Sequence, residues 1–268
     1  MTSPTDTLPP PAKTLHVGVF IPADAQVLDL SCVDIIGTMS AEYMSQVASV
    51  VPPSVRDLAP AIKFYYIGSV PVEQPIGLTS GMSITCTHHY TDPAVAAGQL
   101  DIVLVPGPDP LATDYQMDGG AAAKWLAGQG ACERTDVLCV CTGIMWCGAA
   151  GLLRGKVACG PRGLRKFIME QEGGTGFGVK ELIGEKVRWW QDGRFWSSGG
   201  ITNGNDLVAA YCRQSPHFPN PLVEIVCEMC DVGDRAQHYD KSQSRFIFTM
   251  VYNTFRAWLL GFGRSKKA

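Results

Sequence analysis

One cysteine lies in a sequence context that suits nucleophilic chemistry. Cys141 follows the apolar run VLCV (137–140) and precedes Gly143 and a stretch of helical character. A nucleophile on a sharp strand-to-helix turn is pushed out of the packed sheet, and the following helix directs N–H groups and positive dipole toward it. Both effects favour the thiolate, which is the reactive form of cysteine. We therefore predict that Cys141 is a nucleophile; the alternative is a buried cysteine at a strand end.

Two loops carry groups that could act with this thiol. Asp29 follows an apolar first strand and precedes a helix expected to start near Ser31, where Ser31 and Asp34 have capping-box spacing. The second loop is PGPDP (106–110). A carboxyl beside a thiol can move the proton while sulfur adds to an electrophilic carbon. In a dry pocket, burial and like charge should raise the pKa of Asp29. Taken alone, Asp29 could equally be a loop or helix-end carboxylate.

The elements that would position these groups alternate between strand and helix. Predicted strands cover 15–21, 62–70, 83–89 (an edge or meander strand), 101–105 and 136–140, with a hairpin over 186–200 that turns at Asp192–Gly193. Predicted helices begin near Ser31, cover 119–130, follow Cys141 and cover 203–212. This order predicts an α/β fold with a doubly wound, mostly parallel sheet and helices on both faces. Ligands bind beyond the carboxyl ends of such strands, where Asp29, the 106–110 loop and Cys141 should converge.

Four segments resemble a known superfamily. VCTGIMWCGAAGLLRGKVA (140–158) resembles the nucleophile elbow of the ThiJ/PfpI superfamily, whose fold is flavodoxin-like and of the class I glutamine amidotransferase type. VLDLSCVD (27–34), DIVLVPGPDP (101–110) and the segment 187–211 agree with it in order and spacing. The pairing of Asp in an LDL segment with Cys-Thr at the elbow looks like the isonitrile hydratase branch.

The resemblance implies roles for individual residues. Cys141 would be the nucleophile, Asp29 a general acid or base, and Thr142 would orient the substrate and supply a backbone N–H. The residues expected to border the substrate are Gly107, Pro108, Gly143 and Trp146; Trp146 is included for its position one turn into the elbow helix, and the alternative for it is a core or interface side chain. The implied reaction is hydration of an isonitrile to an N-substituted formamide, a hydro-lyase activity that requires no metal and no organic cofactor.

Two departures from the superfamily pattern keep other functions open. Pro161, in ACGPRG (158–163), stands where many members carry a histidine, which counts against Cys–His chemistry. Pro108 has no N–H, so it cannot stabilise an oxyanion as a glycine would. Two alternatives remain: a glyoxalase-like or secondary-metabolite tailoring enzyme that uses Cys141, and a non-catalytic redox-sensing or partner-binding protein.

Composition limits the choice of partners and location. The net charge is −3 and the basic residues are scattered, so nucleic acid is not an expected partner. Residues 1–14 are polar and proline-rich without an apolar signal region, and we interpret them as a disordered tail of a cytoplasmic protein whose cysteines are reduced. The expected partners are a small-molecule substrate and, by resemblance, a second copy in a homodimer.

The C-terminal region extends the predicted domain. We assign 15–215 to the ThiJ/PfpI-like domain and 216–268 to a helical extension that packs on the domain or on a dimer partner. Cys227 and Cys230 fit one helix face better than a zinc site, because no second pair completes a ligand set. Apolar residues recur at helical spacing over 246–262, a stretch too short to span a membrane. The basic end leaves open a weak peripheral membrane contact through 246–268.

Overall fold

Eleven strands and ten helices form the described part of the chain, in a computed structural model that covers residues 14–264, with side chains to residue 260. The strands are β1 (Leu15–Phe20), β2 (Ile62–Gly68), β3 (Pro75–Gly77), β4 (Ser83–Thr85), β5 (His88–His89), β6 (Ile102–Val105), β7 (Asp136–Cys139), β8 (Val157–Ala158), β9 (Glu181–Leu182), β10 (Trp189–Asp192) and β11 (Phe195–Ser198). The helices are α1 (Ser31–Thr38), α2 (Ala41–Gln46), α3 (Pro53–Arg56), α4 (Met117–Ala131), α5 (Ile144–Ala149), α6 (Arg165–Met169), α7 (Gln171–Gly174), α8 (Asn203–Gln214), α9 (Asn220–Cys230) and α10 (Gln243–Arg264).

Seven strands pair into one mostly parallel sheet in the order β10-β11-β7-β6-β1-β2-β5. Every neighbouring pair is parallel except β10 and β11, which form the predicted antiparallel hairpin. Gly193 adopts a φ of 65° in its turn, a conformation that costs a glycine little. Because β1, β6 and β7 are adjacent and parallel, the loops that follow them meet at one edge of the sheet.

Helices cover both faces of this sheet, as the alternating pattern predicts. On one face, apolar residues of α1, α8 and α9 pack against β1 and β6 through alternate side chains such as Val17 and Leu104. On the other face, α4 and α5 pack against the intervening side chains, among them Val103 and Cys139. The strands β6 and β7 are therefore buried on both sides, which explains their uninterrupted apolar sequence.

Two local predictions are wrong. The strand expected over 83–89 is split: β4 pairs with β3 in a separate hairpin, and only β5 adds to the edge of the main sheet. Helix α1 begins at Ser31 as expected, but Ser31 does not form a capping box. Its hydroxyl donates to the carbonyl of Leu28 and contacts the amide oxygen of Asn205 instead, because a 3₁₀ turn (Val27–Leu30) precedes the helix directly.

The C-terminal region contains two helices with different environments. Helix α9 carries both Cys227 and Cys230 and contributes buried side chains to the same core as α8, whereas most of α10 is exposed. Among residues 14–264, no group of three or more potential metal ligands is found, and no helix is long and apolar enough to cross a bilayer. The division of the chain at 215 stays a prediction, and the predicted tail falls, except for residue 14, outside the described residues.

Candidate active site

Cys141 lies on a tight turn between β7 and α5. It starts a single 3₁₀ turn (Cys141–Gly143) that leads directly into α5, and its φ of 55° lies in the left-handed region. Such a conformation costs a non-glycine residue about 1 kcal/mol or more and is retained where the surroundings enforce it. A Cβ on Gly143 would lie 2.3 Å from the carbonyl oxygen of Val105, so the turn packs directly on the end of β6.

Asp29 reaches the same place from the turn after β1. Its side chain is fully buried, and its Oδ2 accepts a hydrogen bond of 2.9 Å from the N–H of Gly107. A Cβ on Gly107 would lie 2.5 Å from Asp29 Oδ2 and 2.3 Å from Thr142 Oγ1. The three loops therefore meet around a glycine that leaves room for no side chain, which agrees with the convergence expected from the order of the strands.

The carboxyl of Asp29 titrates near neutrality. Burial outweighs the N–H of Gly107 and the thiol of Cys141, which both lower the pKa of Asp29, and raises this pKa from 3.8 to about 7. The direction and the role of burial agree with the sequence-based expectation. The expected like-charge effect is wrong for this group, because the neighbouring sulfur keeps its proton and interacts favourably with the carboxylate.

The thiol of Cys141 is not activated in the resting site. Burial, and after it the charge of Asp29, raise its pKa from 9.0 to about 11 and outweigh the lowering interactions from the N–H groups of Ile201 and Thr142 and the Thr142 hydroxyl. The expectation that the turn favours the thiolate is therefore wrong. The N–H donors are present, but removal of the sulfur from water outweighs them.

Cys141 opens into a cavity of about 620 Å³. Its walls come from the β1–α1 loop, the β3–β4 hairpin, the 106–110 loop and Leu164, and it also contacts Ile201. Asp24 and Asp109 lie on it, and its lining contains no lysine, arginine or histidine among the described residues. The cavity is therefore mainly apolar with acidic groups on its wall, which favours neutral or cationic molecules over anions.

The structure brings together most of the predicted site residues but not all. Cys141, Thr142 and Pro108 line the cavity. Asp29 does not line it, and the prediction that Gly107 and Gly143 border the substrate is wrong, because both glycines lie behind the lining as points of close packing. Trp146 does not border it: this side chain is 1 % exposed and packs on the opposite face of the sheet, 5.9 Å from the ring of Phe20. The rotation of α5 after the turn directs position 146 away from the sulfur.

The 106–110 loop forms hydrogen bonds with the Asp29 carboxyl and with the turn at Cys141–Gly143, and it does not offer N–H donors to an oxyanion. The N–H of Gly107 is used by Asp29, and Pro108 has none to offer. The carbonyl of Pro108 instead accepts a hydrogen bond of 2.7 Å from Thr142 Oγ1, which ties this loop to the nucleophile turn. The N–H of Gly107 is therefore already engaged and is not available to a substrate.

Sequence reasoning missed Ile201. Its N–H interacts with the Cys141 sulfur, its side chain lines the cavity, and its φ of 22° is strained for a β-branched residue. A signal was present: Gly199 and Gly200 follow β11, a strand whose carboxyl end lies beside that of β7.

At the position where many superfamily members carry a histidine, Pro161 precedes a 3₁₀ turn (Arg162–Leu164) that brings an apolar Leu164 to the cavity.

Comparison with known proteins identifies the fold. No protein-family model matches the chain, and no curated protein matches its sequence. A THiJ/PfpI family protein from Pseudomonas syringae superimposes with a TM-score of 0.61 and 18% identity, over 90% of this chain and 84% of that chain. DJ-1 from Schizosaccharomyces pombe gives 0.55 and 14% identity, over 80% and 98% of the two chains. An AraC family transcriptional regulator from Pseudomonas putida gives 0.58 and 14% identity, over 81% and 99%. The chain therefore has the fold of the ThiJ/PfpI and DJ-1 proteins.

Proposed function

We propose that the protein is a cysteine-dependent hydratase for a small electrophile, and that an isonitrile, hydrated to an N-substituted formamide, is the substrate class that its site suits best. The observation that carries this proposal is the proximity of the buried Asp29 carboxyl to the Cys141 thiol, which itself lines a mainly apolar cavity. A nucleophile and a proton carrier close together are what an addition reaction requires.

In the first step, the sulfur of Cys141 forms a bond to the terminal carbon of the isonitrile. The thiol proton passes to the Asp29 carboxylate and from there to the same carbon, which leaves a thioimidate, R–N=CH–S, on the enzyme. A carboxyl with a pKa of about 7 can both accept and release this proton at neutral pH. The raised pKa of the thiol makes this coupled transfer necessary, because free thiolate is scarce.

In the second step, water adds to the thioimidate carbon and the nitrogen takes up a proton. The tetrahedral adduct then expels the sulfur, which regains its proton through Asp29, and N-substituted formamide leaves. Overall one isonitrile and one water give one formamide, and the enzyme returns to its starting state without an external oxidant or reductant. The N–H groups of Ile201 and Thr142 can stabilise the departing sulfur.

The donor pattern of the site favours an isonitrile over a carbonyl substrate. Acyl transfer builds charge on an oxygen, for which preorganised N–H donors matter most. Here the N–H of Gly107 is occupied by Asp29, and Pro108 offers none. Addition to an isonitrile develops charge on the terminal carbon instead, and this carbon is bonded to the sulfur beside which the Asp29 carboxyl lies.

The proposal is tested by incubating the purified protein with cyclohexyl isonitrile and following N-cyclohexylformamide by mass spectrometry. Formamide should form with the wild type and be lost with Cys141→Ala, and Asp29→Asn should be strongly impaired. Cys132→Ala is the matched control, since Cys132 is the thiol outside the cavity whose pKa is lowered by its surroundings. Cys141→Ala with the activity of the wild type would exclude this mechanism.

Two other functions use the same cysteine. A glyoxalase-like or tailoring enzyme would also need a proton carrier, so loss of methylglyoxal should be assayed in parallel with loss of isonitrile. Against the redox-sensing alternative stands the raised pKa of Cys141, because oxidation by peroxide proceeds through the thiolate. Selective oxygen addition at Cys141 without turnover of either substrate would favour that non-catalytic function.

A further inference from the structure

The long C-terminal helix α10 presents an exposed apolar face that the catalytic site does not use. Residues at intervals of three and four lie on one side of a helix. On α10 this side is formed by Ile247, Phe248, Val251, Tyr252, Phe255 and Leu259. Each of these side chains is between 51 and 69 % exposed. Six exposed apolar side chains on one side of a helix are unusual in water and indicate a binding partner.

Charge identifies the kind of partner. Residues 241–268 contain six basic residues and no acidic one, although the chain as a whole has a net charge of −3. Arg245 and Arg256, both exposed, lie beside the apolar face rather than within it. We propose that α10 lies flat on an anionic lipid surface, with its aromatic and aliphatic side chains among the acyl chains and its basic residues at the headgroup phosphates.

A second copy of the helix would bury the apolar face, but it would leave the basic residues without side chains of opposite charge. Helix pairs in water are normally flanked by side chains of opposite sign, which set partner and orientation. Two copies of α10 would bring arginines together without a carboxylate from either helix. An anionic membrane surface removes this repulsion and buries the same apolar face, so it explains both properties of the segment at once.

The first turn of α10 contacts the body of the protein next to the cavity. The guanidinium of Arg162 lies 4.1 Å from the ring centre of Tyr239 and 4.8 Å from that of Phe246, and it donates to Gln243 Oε1 at 3.0 Å. Arg162 begins the turn that ends at Leu164, which lines the cavity. A helix bound to lipid would therefore keep the cavity near the membrane surface, whatever the reaction performed there.

Cosedimentation with vesicles tests the proposal on the full-length protein. The wild type should bind phosphatidylcholine vesicles that contain about one-third phosphatidylserine, bind pure phosphatidylcholine much less, and dissociate as salt is raised. Replacing two apolar residues, Phe248→Ser with Phe255→Ser, should weaken binding about tenfold or more. The matched control, Thr249→Ala with Asn253→Ala on the polar side, should bind as the wild type does.

The charge requirement and the competing dimer are tested with the same protein. Arg245→Gln with Arg256→Gln should reduce binding to anionic vesicles and leave the weak binding to neutral vesicles unchanged. All these side chains are exposed, so circular dichroism and thermal unfolding of the body should not change. The proposal is overturned if the wild type stays in the supernatant with anionic vesicles. It is also overturned if the wild type forms a dimer in sedimentation velocity without binding lipid, and the double variant Phe248→Ser with Phe255→Ser is monomeric.

Discussion

The Asp29 carboxyl lies beside the Cys141 thiol, and this proximity changes the two pKa values in opposite directions. The thiol lowers the pKa of Asp29 toward its ordinary range, while the carboxylate raises the pKa of Cys141 above the effect of burial alone. The first proton is therefore lost from the carboxyl and the second from the sulfur. The pair carries one proton over the range between about 7 and about 11, and it titrates as a unit.

The first prediction concerns the pH dependence of turnover. Because the carboxylate must accept the thiol proton, kcat/KM for cyclohexyl isonitrile should rise with pH through an apparent pKa of about 7 and then level off. The rise should be absent in the residual activity of Asp29→Asn, since an amide does not titrate. A wild-type profile that is flat from weakly acidic to weakly alkaline pH would contradict the assigned role of Asp29.

The second prediction concerns thiol reactivity and does not depend on the substrate. Asp29→Asn removes the negative charge that raises the pKa of Cys141, so more thiolate should be present in mildly alkaline solution. Alkylation of Cys141 by iodoacetamide, followed by peptide mass spectrometry, should become faster than in the wild type. Cys132 in the same sample serves as the internal reference, and its rate should not change. Slower labelling of Cys141 in the variant would show that the carboxyl activates the thiol at rest.

The third prediction concerns stability. The pKa of Asp29 is raised on folding from 3.8 to about 7, so the folded state holds a proton that the unfolded chain has lost in this range. The free energy of unfolding should fall by about 1.4 kcal/mol per pH unit between these values, about 4 kcal/mol in all, and stay level above them. Asp29→Asn should lack this loss. Urea unfolding of both proteins should therefore show that the free energy of unfolding of the variant rises relative to that of the wild type from acid to mildly alkaline pH. The same pH dependence in both proteins would contradict the assignment.

The sequence predicted the site where regular elements determine position. Strand order places the turn after β1, the 106–110 loop and Cys141 at one edge, because parallel neighbours end together. It did not predict Ile201, whose N–H reaches the sulfur through irregular backbone that no periodicity describes. It also assigned Trp146 to the cavity, because spacing along a helix does not give the angle at which that helix leaves the turn.

The pKa of Cys141 could not be predicted from sequence for a different reason. The expected N–H donor of Thr142 and the unpredicted one of Ile201 both lower the pKa of the sulfur, but desolvation outweighs them. Desolvation depends on every wall of the cavity, including Leu78 and Leu164, which reach it from remote segments. Local sequence determines the donors, whereas the whole fold determines how much water is excluded.

The fourth prediction tests the close approach at Gly107. A Cβ there would lie 2.3 Å from Thr142 Oγ1 and 2.5 Å from Asp29 Oδ2, so Gly107→Ala must displace the carboxyl, the loop or both. A displacement near 1 Å at a catalytic group reduces kcat/KM by roughly a hundredfold. Gly77→Ala is the matched control, because Gly77 also lines the cavity but has no atom within 4 Å of the added Cβ. Similar activity in both variants would show that the Gly107 contact does not position Asp29.

The fifth prediction tests the strained backbone at Cys141. With a φ of 55°, this position should favour glycine, so Cys141→Gly should be more stable than Cys141→Ala by about 1 kcal/mol. At Cys147, a buried position inside α5, the order should reverse, because glycine in a helix costs about 1 kcal/mol relative to alanine. Urea unfolding of the four variants measures both differences, and each pair removes the same thiol, so the comparison isolates the backbone. If alanine is the more stable replacement at both positions, the turn stores no strain at the nucleophile.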